Sequence, residues 1–308
     1  VSLLEHYYDL GRDEQFDALL RGLWIHEHPT PEKHRYLVLP LDFSQVGVGV
    51  DGEDGTLQKT FFEMVRGRVQ RLLVRYRDRI ASLARLHDEL ERFDDATALM
   101  AALLDSVADT GYKLYVLIDE YDNFANRLLG AGAHETYEAL VTRTGFVRTF
   151  YATLKAGTAS GAVGRMFITG VAPLLLDDLS SGFNIATHAS DDPSLHTLAG
   201  FTRADVDRSL DELLAARPEL ASHPDFADRT QLGEVLERYY DGYRFSPQAP
   251  ARIYNSDMVL YFLSEAYRKG EYPTDMLDVN VRTDHRRLQH IGMLTGTERA
   301  ASRVLLET

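Results

Sequence analysis

Residues Lys113-Leu114-Tyr115-Val116-Leu117-Ile118 constrain the fold more than any other stretch of the chain. An unbroken apolar run this short, ended at once by Asp119, Glu120 and Asp122, suits a strand buried on both faces, whereas a strand with one wet face would alternate. Arg35 to Phe43 and Arg165 to Val171 are runs of the same kind. Between the runs the apolar positions recur at helical spacing. Phe61, Phe62, Val65, Val69, Leu72, Leu73 and Ile80 predict a surface helix from Thr60 to about Leu90, and further helices are expected over Ala96 to Ala108 and Glu135 to Leu154. Gly47 to Gly55 and Gly157 to Gly164 read as loops. Strand, helix, strand, helix, strand predicts an α/β fold, a doubly wound parallel sheet with right-handed crossovers.

Beyond Phe201 the strand pattern is expected to stop. Thr202 caps a predicted helix through Leu214, another is expected from about Leu232 to Tyr240, and Asn255 caps a third. The change of pattern predicts an α/β core over residues 1–200 and a helical, lid-like region over 201–308. The 308 residues, 44% of them hydrophobic, suffice for one large or two smaller cores.

Charge and cysteine usage narrow the chemistry. Lys and Arg total 33 against 47 Asp and Glu, and the net charge of -14 opposes broad binding to a phosphate backbone, so any nucleic-acid contact is expected to be local. With no cysteine there is no disulfide framework, thiol nucleophile or cysteine-ligated metal, and a cytoplasmic setting is expected. No apolar run is long enough to span a bilayer, and no membrane association is expected.

In an open parallel sheet, ligands sit at the carboxyl ends of the strands, which is where Asp119 and Glu120 fall. P-loop ATPases need two acids there: one near Mg²⁺ and one that positions or deprotonates the attacking water. Asp119 and Glu120 stand in that order, and Thr169 ends the next strand, where a hydroxyl can sense the γ-phosphate and the water. The competing reading is a solvated strand tip and an ordinary strand-end hydroxyl. A third reading makes Asp119, Glu120 and Asp122 a metal cluster for phosphodiester hydrolysis, which the net charge opposes.

The chain contains no Gly-Lys dipeptide, and so no G-x-x-x-x-G-K-[ST] loop to cradle phosphates. Val1 already falls within an amphipathic pattern with Leu3, Leu4, Tyr7 and Tyr8, which reads as a start inside a helix that would follow such a loop. Gly47 to Gly52 formally satisfies G-x-G-x-x-G, but Asp51, Glu53 and Asp54 would repel a pyrophosphate, and a surface loop is the better reading.

At these residues the sequence resembles the AAA-ATPase-like family, whose P-loop NTPase core is often followed by a PD-(D/E)XK nuclease-like domain. The likeness runs through Phe16, Gly22 to Ile25, Val38 to Ser44, Leu117 to Asp122 and Phe167 to Val171. It continues through Ser181 to Asn184, Gly200 to Thr202, Tyr239 to Phe245 and Ile253 to Asn255. The resemblance implies ATP and Mg²⁺ as ligands, a phosphate loop a few residues before Val1, and a nuclease-like domain or other partner protein beyond the other end. It maps the family's Walker B acids onto Asp119 and Glu120 and its sensor-like position onto Thr169. It also implies that this stretch alone binds ATP poorly. The alternative it leaves open is a degenerate, non-hydrolysing interaction module that serves the nuclease-like domain.

Other residues are less committed. Arg244, in Asp241 to Phe245, either packs in an aromatic turn or reaches the nucleotide, and Arg203 carries the same two readings. Ser180 to Asn184 reads as a turn. His26, His28 and His188 lack metal-ligand spacing, and the pairs Tyr7-Tyr8, Phe61-Phe62 and Tyr239-Tyr240 read as packing residues, with no interleaved basic stripe for base stacking.

Overall fold

The computed structural model describes residues 1–47, 54–108, 110–142, 144–171, 175, 178, 179 and 183–277. The motif-like segment Gly47 to Gly52 and the turn Ser180 to Asn184 therefore fall largely outside the described residues. The chain divides into two compact units, Val1–Ala186 and Thr187–Thr308.

In the first unit, α1 (Ser2–Tyr8), α2 (Phe16–Leu20) and α3 (Trp24–Glu27) precede β1 (Tyr36–Asp42). Then come α4 (Asp54–Tyr76), α5 (Ala81–Glu89), α6 (Ala96–Ala108), β2 (Lys113–Asp119), α7 (Asn123–Gly130), α8 (His134–Val141), α9 (Phe146–Ser160) and β3 (Val163–Ile168). The unit is mixed α/β around a parallel three-stranded sheet of order β1-β2-β3, the strands lying where the three apolar runs place them.

Alternation along the strands sorts their side chains onto two faces. Leu37, Leu39, Leu41, Leu114, Val116 and Ile118 join the main core with α4 to α9. Within it the Phe61 ring packs edge-on against Phe43, Phe146 and Phe150, centroids 5.0–5.3 Å apart, so truncating it to Ala would cost about 3–5 kcal/mol. On the opposite face Tyr36, Val38, Tyr115 and Leu117 pack with Phe167 and with Val1, Leu4 and Tyr8, one helical stripe of α1.

Three expectations for the first unit need correction. The helix expected from Thr60 to about Leu90 starts earlier, at Asp54, and is broken between Tyr76 and Ala81 into α4 and α5, with Ile80 extended. The helix expected from Glu135 to Leu154 is broken into α8 and α9. At Gly145 the chain passes so tightly that a Cβ would lie 2.1 Å from the Leu140 carbonyl oxygen, a close approach only glycine tolerates. The loop expected from Gly157 is helix as far as Ser160, and Gly161 ends it in the left-handed conformation (φ 82°). Gly157 is small for packing: a Cβ there would meet Leu104 at 2.8 Å and Val163 at 2.9 Å.

The second unit contains β4 (Gly200–Phe201), α10 (Arg203–Ala216), α11 (Pro224–Ala227), α12 (Arg229–Tyr240), β5 (Asp241–Tyr243), β6 (Ile253–Asn255) and α13 (Ser256–Lys269). Its core gathers Val206, Leu210, Phe226, Leu236, Val259 and Phe262. Thr202 caps α10 in a reciprocal capping box with Asp205, and Asn255 caps α13 through the Met258 amide at 3.0 Å. Strands do not stop at Phe201, however: β4, β6 and β5 form an antiparallel sheet in that order. Strands of two or three residues are too short to show an alternation in sequence. Among the described residues no helix is long and apolar enough to cross a membrane.

Candidate functional site

β2 is buried from Leu114 to Ile118, so the chain emerges from the core at Asp119, which is half-buried, and Glu120 is exposed. Glu120 has φ 49°, the left-handed region, unusual for a residue with a Cβ. That kink bends the chain as it leaves β2. The Asn123 amide then donates to the Glu120 carbonyl at 3.0 Å, and α7 begins. Backbone strain of this sort clusters at functional sites. The Glu120 carboxylate accepts from Asn123 Nδ2 at 2.7 Å.

Thr169 continues the ladder beyond β3. Its amide donates to the Ile118 carbonyl at 2.8 Å, and its carbonyl accepts from the Tyr121 amide at 3.0 Å. This brings the Thr169 hydroxyl 2.5 Å from Asp119 Oδ1, to which it donates. The structure thus brings together Asp119, Glu120 and Thr169, three of the residues singled out from sequence.

Asp42 stands beside Asp119 in register at the end of β1. Alternation puts Asp42, Asp119 and Thr169 on the same face as Val38, Leu117 and Phe167, the face α1 covers. Asp42 accepts from the Ser44 amide (3.0 Å), Ser44 Oγ (2.6 Å) and Gln45 Nε2 (2.7 Å), with Arg68 4.0 Å away. Partial burial pushes its carboxyl up, but the bonds from Ser44 and Gln45 and the Arg68 charge outweigh this and hold it below the usual carboxylate range. Sequence reasoning missed Asp42, although the signal was present: like Asp119, it is the first acid after an apolar run.

α1 packs on the same face. Its end meets the start of β1, where Asp9 bridges Tyr36 and Tyr8 packs on Tyr36 and Tyr115. Val1 and Leu4 join the same cluster on that sheet face as Val38, Leu117 and Phe167.

Asp122 does not share the exposed edge with Asp119 and Glu120. It is 2% exposed and turned inward, which removes it from the three-carboxylate cluster considered above. Among the described residues no group of three or more His, Cys, Asp or Glu could hold a metal ion. Arg203 and Arg244 lie in the second unit. Arg203 donates from Nε to both Asp207 oxygens at 3.1 Å and stands 3.7 Å from Glu237, whereas Arg244 is exposed just after β5. His26 pairs with Asp17 at 2.9 Å, and His28 stacks on Trp24.

Comparisons with curated proteins and with solved structures give no significant match. The family model AAA-ATPase-like, described as "Predicted AAA-ATPase", matches residues 1–180, a span that contains β1 to β3 and Asp42, Asp119, Glu120 and Thr169. With more than half its length covered by that match, this chain belongs to the AAA-ATPase-like family.

Proposed function

We propose that the chain is the ATP-binding and ATP-hydrolysing module of its protein, a doubly wound sheet of P-loop NTPase type with the second unit as a lid-like region. The observation that carries the proposal is the Asp119–Thr169 pair, 2.5 Å apart at the carboxyl edge of a parallel sheet, with Glu120 at the next position. In this reading Asp119 lies near Mg²⁺, Glu120 orients the attacking water and takes its proton, and Thr169 senses the γ-phosphate.

The donor set fits the metal. Mg²⁺ prefers hard oxygen ligands and is commonly held by one or two carboxylates, with substrate phosphates and water completing its shell, so Asp119, with Asp42 alongside, suffices on the protein side. When bound, the ion neutralises charge on the β- and γ-phosphates. The sequence holds no Gly-Lys dipeptide, so the phosphate cradle this reading needs is not among these residues.

The test compares Mg-ATP binding and hydrolysis by the chain extended upstream through a Gly-Lys-Ser/Thr loop, by the same protein with Glu120→Gln, and by the present chain. The expected result is hydrolysis by the extended parent only, with Glu120→Gln retaining binding. An extended parent that neither binds nor hydrolyses ATP moves the assignment to a degenerate interaction module serving a nuclease-like domain.

A further inference from the structure

We infer that Asp122 is a positioning residue, clamping the backbone that follows Thr169 onto the turn that follows Asp119. Its role in chemistry rests on the ATPase reading above; the clamp itself does not.

Asp122 occupies the N-cap position of α7, where an aspartate ordinarily accepts from the second or third amide of its own helix. It makes no such bond. Its oxygens instead reach across 49 residues of sequence to the Val171 amide, at 3.1 and 3.2 Å, and Oδ2 also accepts from Asn126 Nδ2 at 2.7 Å. A carboxylate this deeply buried is tolerable only when its oxygens are hydrogen-bonded, and giving up the local cap for a distant amide ties two loops together.

Gly170 shows how closely the two loops fit. A Cβ there would lie 2.3 Å from the Tyr121 ring and 2.4 Å from Asp122 Oδ1, too near for any side chain. Together with the Tyr121 amide on the Thr169 carbonyl at 3.0 Å, this holds Thr169 between two fixed points. Its hydroxyl therefore has little freedom to leave Asp119. Behind the joint the Tyr151 hydroxyl is fully buried with no hydrogen-bond partner among the described residues, and burial first, then Tyr121 and Asp122, push it well above the ordinary phenol range.

The experiment uses the full-length protein with Asp122→Ala, Asp122→Asn and Val171→Pro, the last removing the amide donor while leaving the Asp122 carboxylate in place, in case Asp122→Ala fails to fold. Hydrogen exchange of the Thr169–Val171 segment and steady-state ATP hydrolysis are both measured. In Asp122→Ala and Val171→Pro the segment, which still contains exchangeable amides at Thr169 and Gly170, is expected to exchange roughly tenfold faster while the middle of β2 is unchanged. The same variants are expected to lose about tenfold in kcat with KM within about twofold, and Asp122→Asn, which can still accept from Val171, to recover most of both. Unchanged exchange overturns the clamp. Faster exchange with an unchanged kcat overturns the positioning role. A parent protein that does not hydrolyse ATP overturns the ATPase reading and the catalytic half of this inference with it, and exchange then still decides the clamp.

Discussion

Replacing Glu120 by glycine and, separately, by alanine tests whether this turn is as strained as its backbone indicates. At φ 49° a residue with a Cβ costs about 1–2 kcal/mol relative to its favoured conformations, and glycine escapes that cost. Glycine gives back roughly 0.5–1 kcal/mol through the greater freedom of its unfolded chain. Both variants lose the Asn123 bond equally, so it cancels between them. Glu120→Gly should therefore be more stable than Glu120→Ala by about 0–1.5 kcal/mol, with a midpoint of about 0.8 kcal/mol or roughly 2–3 °C in the melting of the first unit, read by thermal denaturation. At a site with ordinary negative φ the order reverses, alanine gaining about 0.4–1 kcal/mol over glycine. An alanine variant that melts at or above the glycine variant refutes the strained turn. In the proposed ATPase both variants lose hydrolysis, so glycine would give a more stable protein than alanine without restoring function.

Thr169→Val removes the hydroxyl from half-buried Asp119 and is expected to cost about 1 kcal/mol of stability by denaturant titration, with a fall in kcat in the full-length protein; no loss of either argues against the pair. The Asp42 carboxyl is depressed in the folded state, so its contribution is present above the unfolded value near 4 and is lost as pH falls through the lower folded one. Asp42→Asn should accordingly flatten the acid limb of the stability–pH curve below about pH 4, and an unaltered limb counts against the assignment. Gly157→Ala gains about 1 kcal/mol of helix propensity but meets Leu104 and Val163, so a net loss of about 0.5–2 kcal/mol is expected, and a more stable variant would show that the contact yields.

The parts of the fold legible in sequence are those whose signal is local and repeated. The runs ending at Asp42 and Asp119 mark strands because five or more successive apolar residues leave no solvent face; the run before Thr169, Met166 to Ile168, is shorter and its strand partly exposed, and the structure pairs all three in one parallel sheet. Thr202 and Asn255 read correctly as caps because each bonds an amide three residues on. The misreadings share a cause. Glycine at 145 and 157 is the same letter in both places, yet one breaks a helix at a tight passage and the other lets a helix pack against α6 and β3. The strands of the second unit are two or three residues long and depend on partners far along the chain.

At the candidate site the sequence alone determined which acids end a buried strand, since apolar runs bounded by carboxylates have few ways to fold. Tertiary structure alone decided what those acids meet. It seats Thr169 on Asp119, sets Asp42 beside them, twists Glu120 into the left-handed region and turns Asp122 inward to hold Val171. The reason is physical: strand register and loop closure join residues tens of positions apart, and no short window of sequence records the distance at which they come to rest.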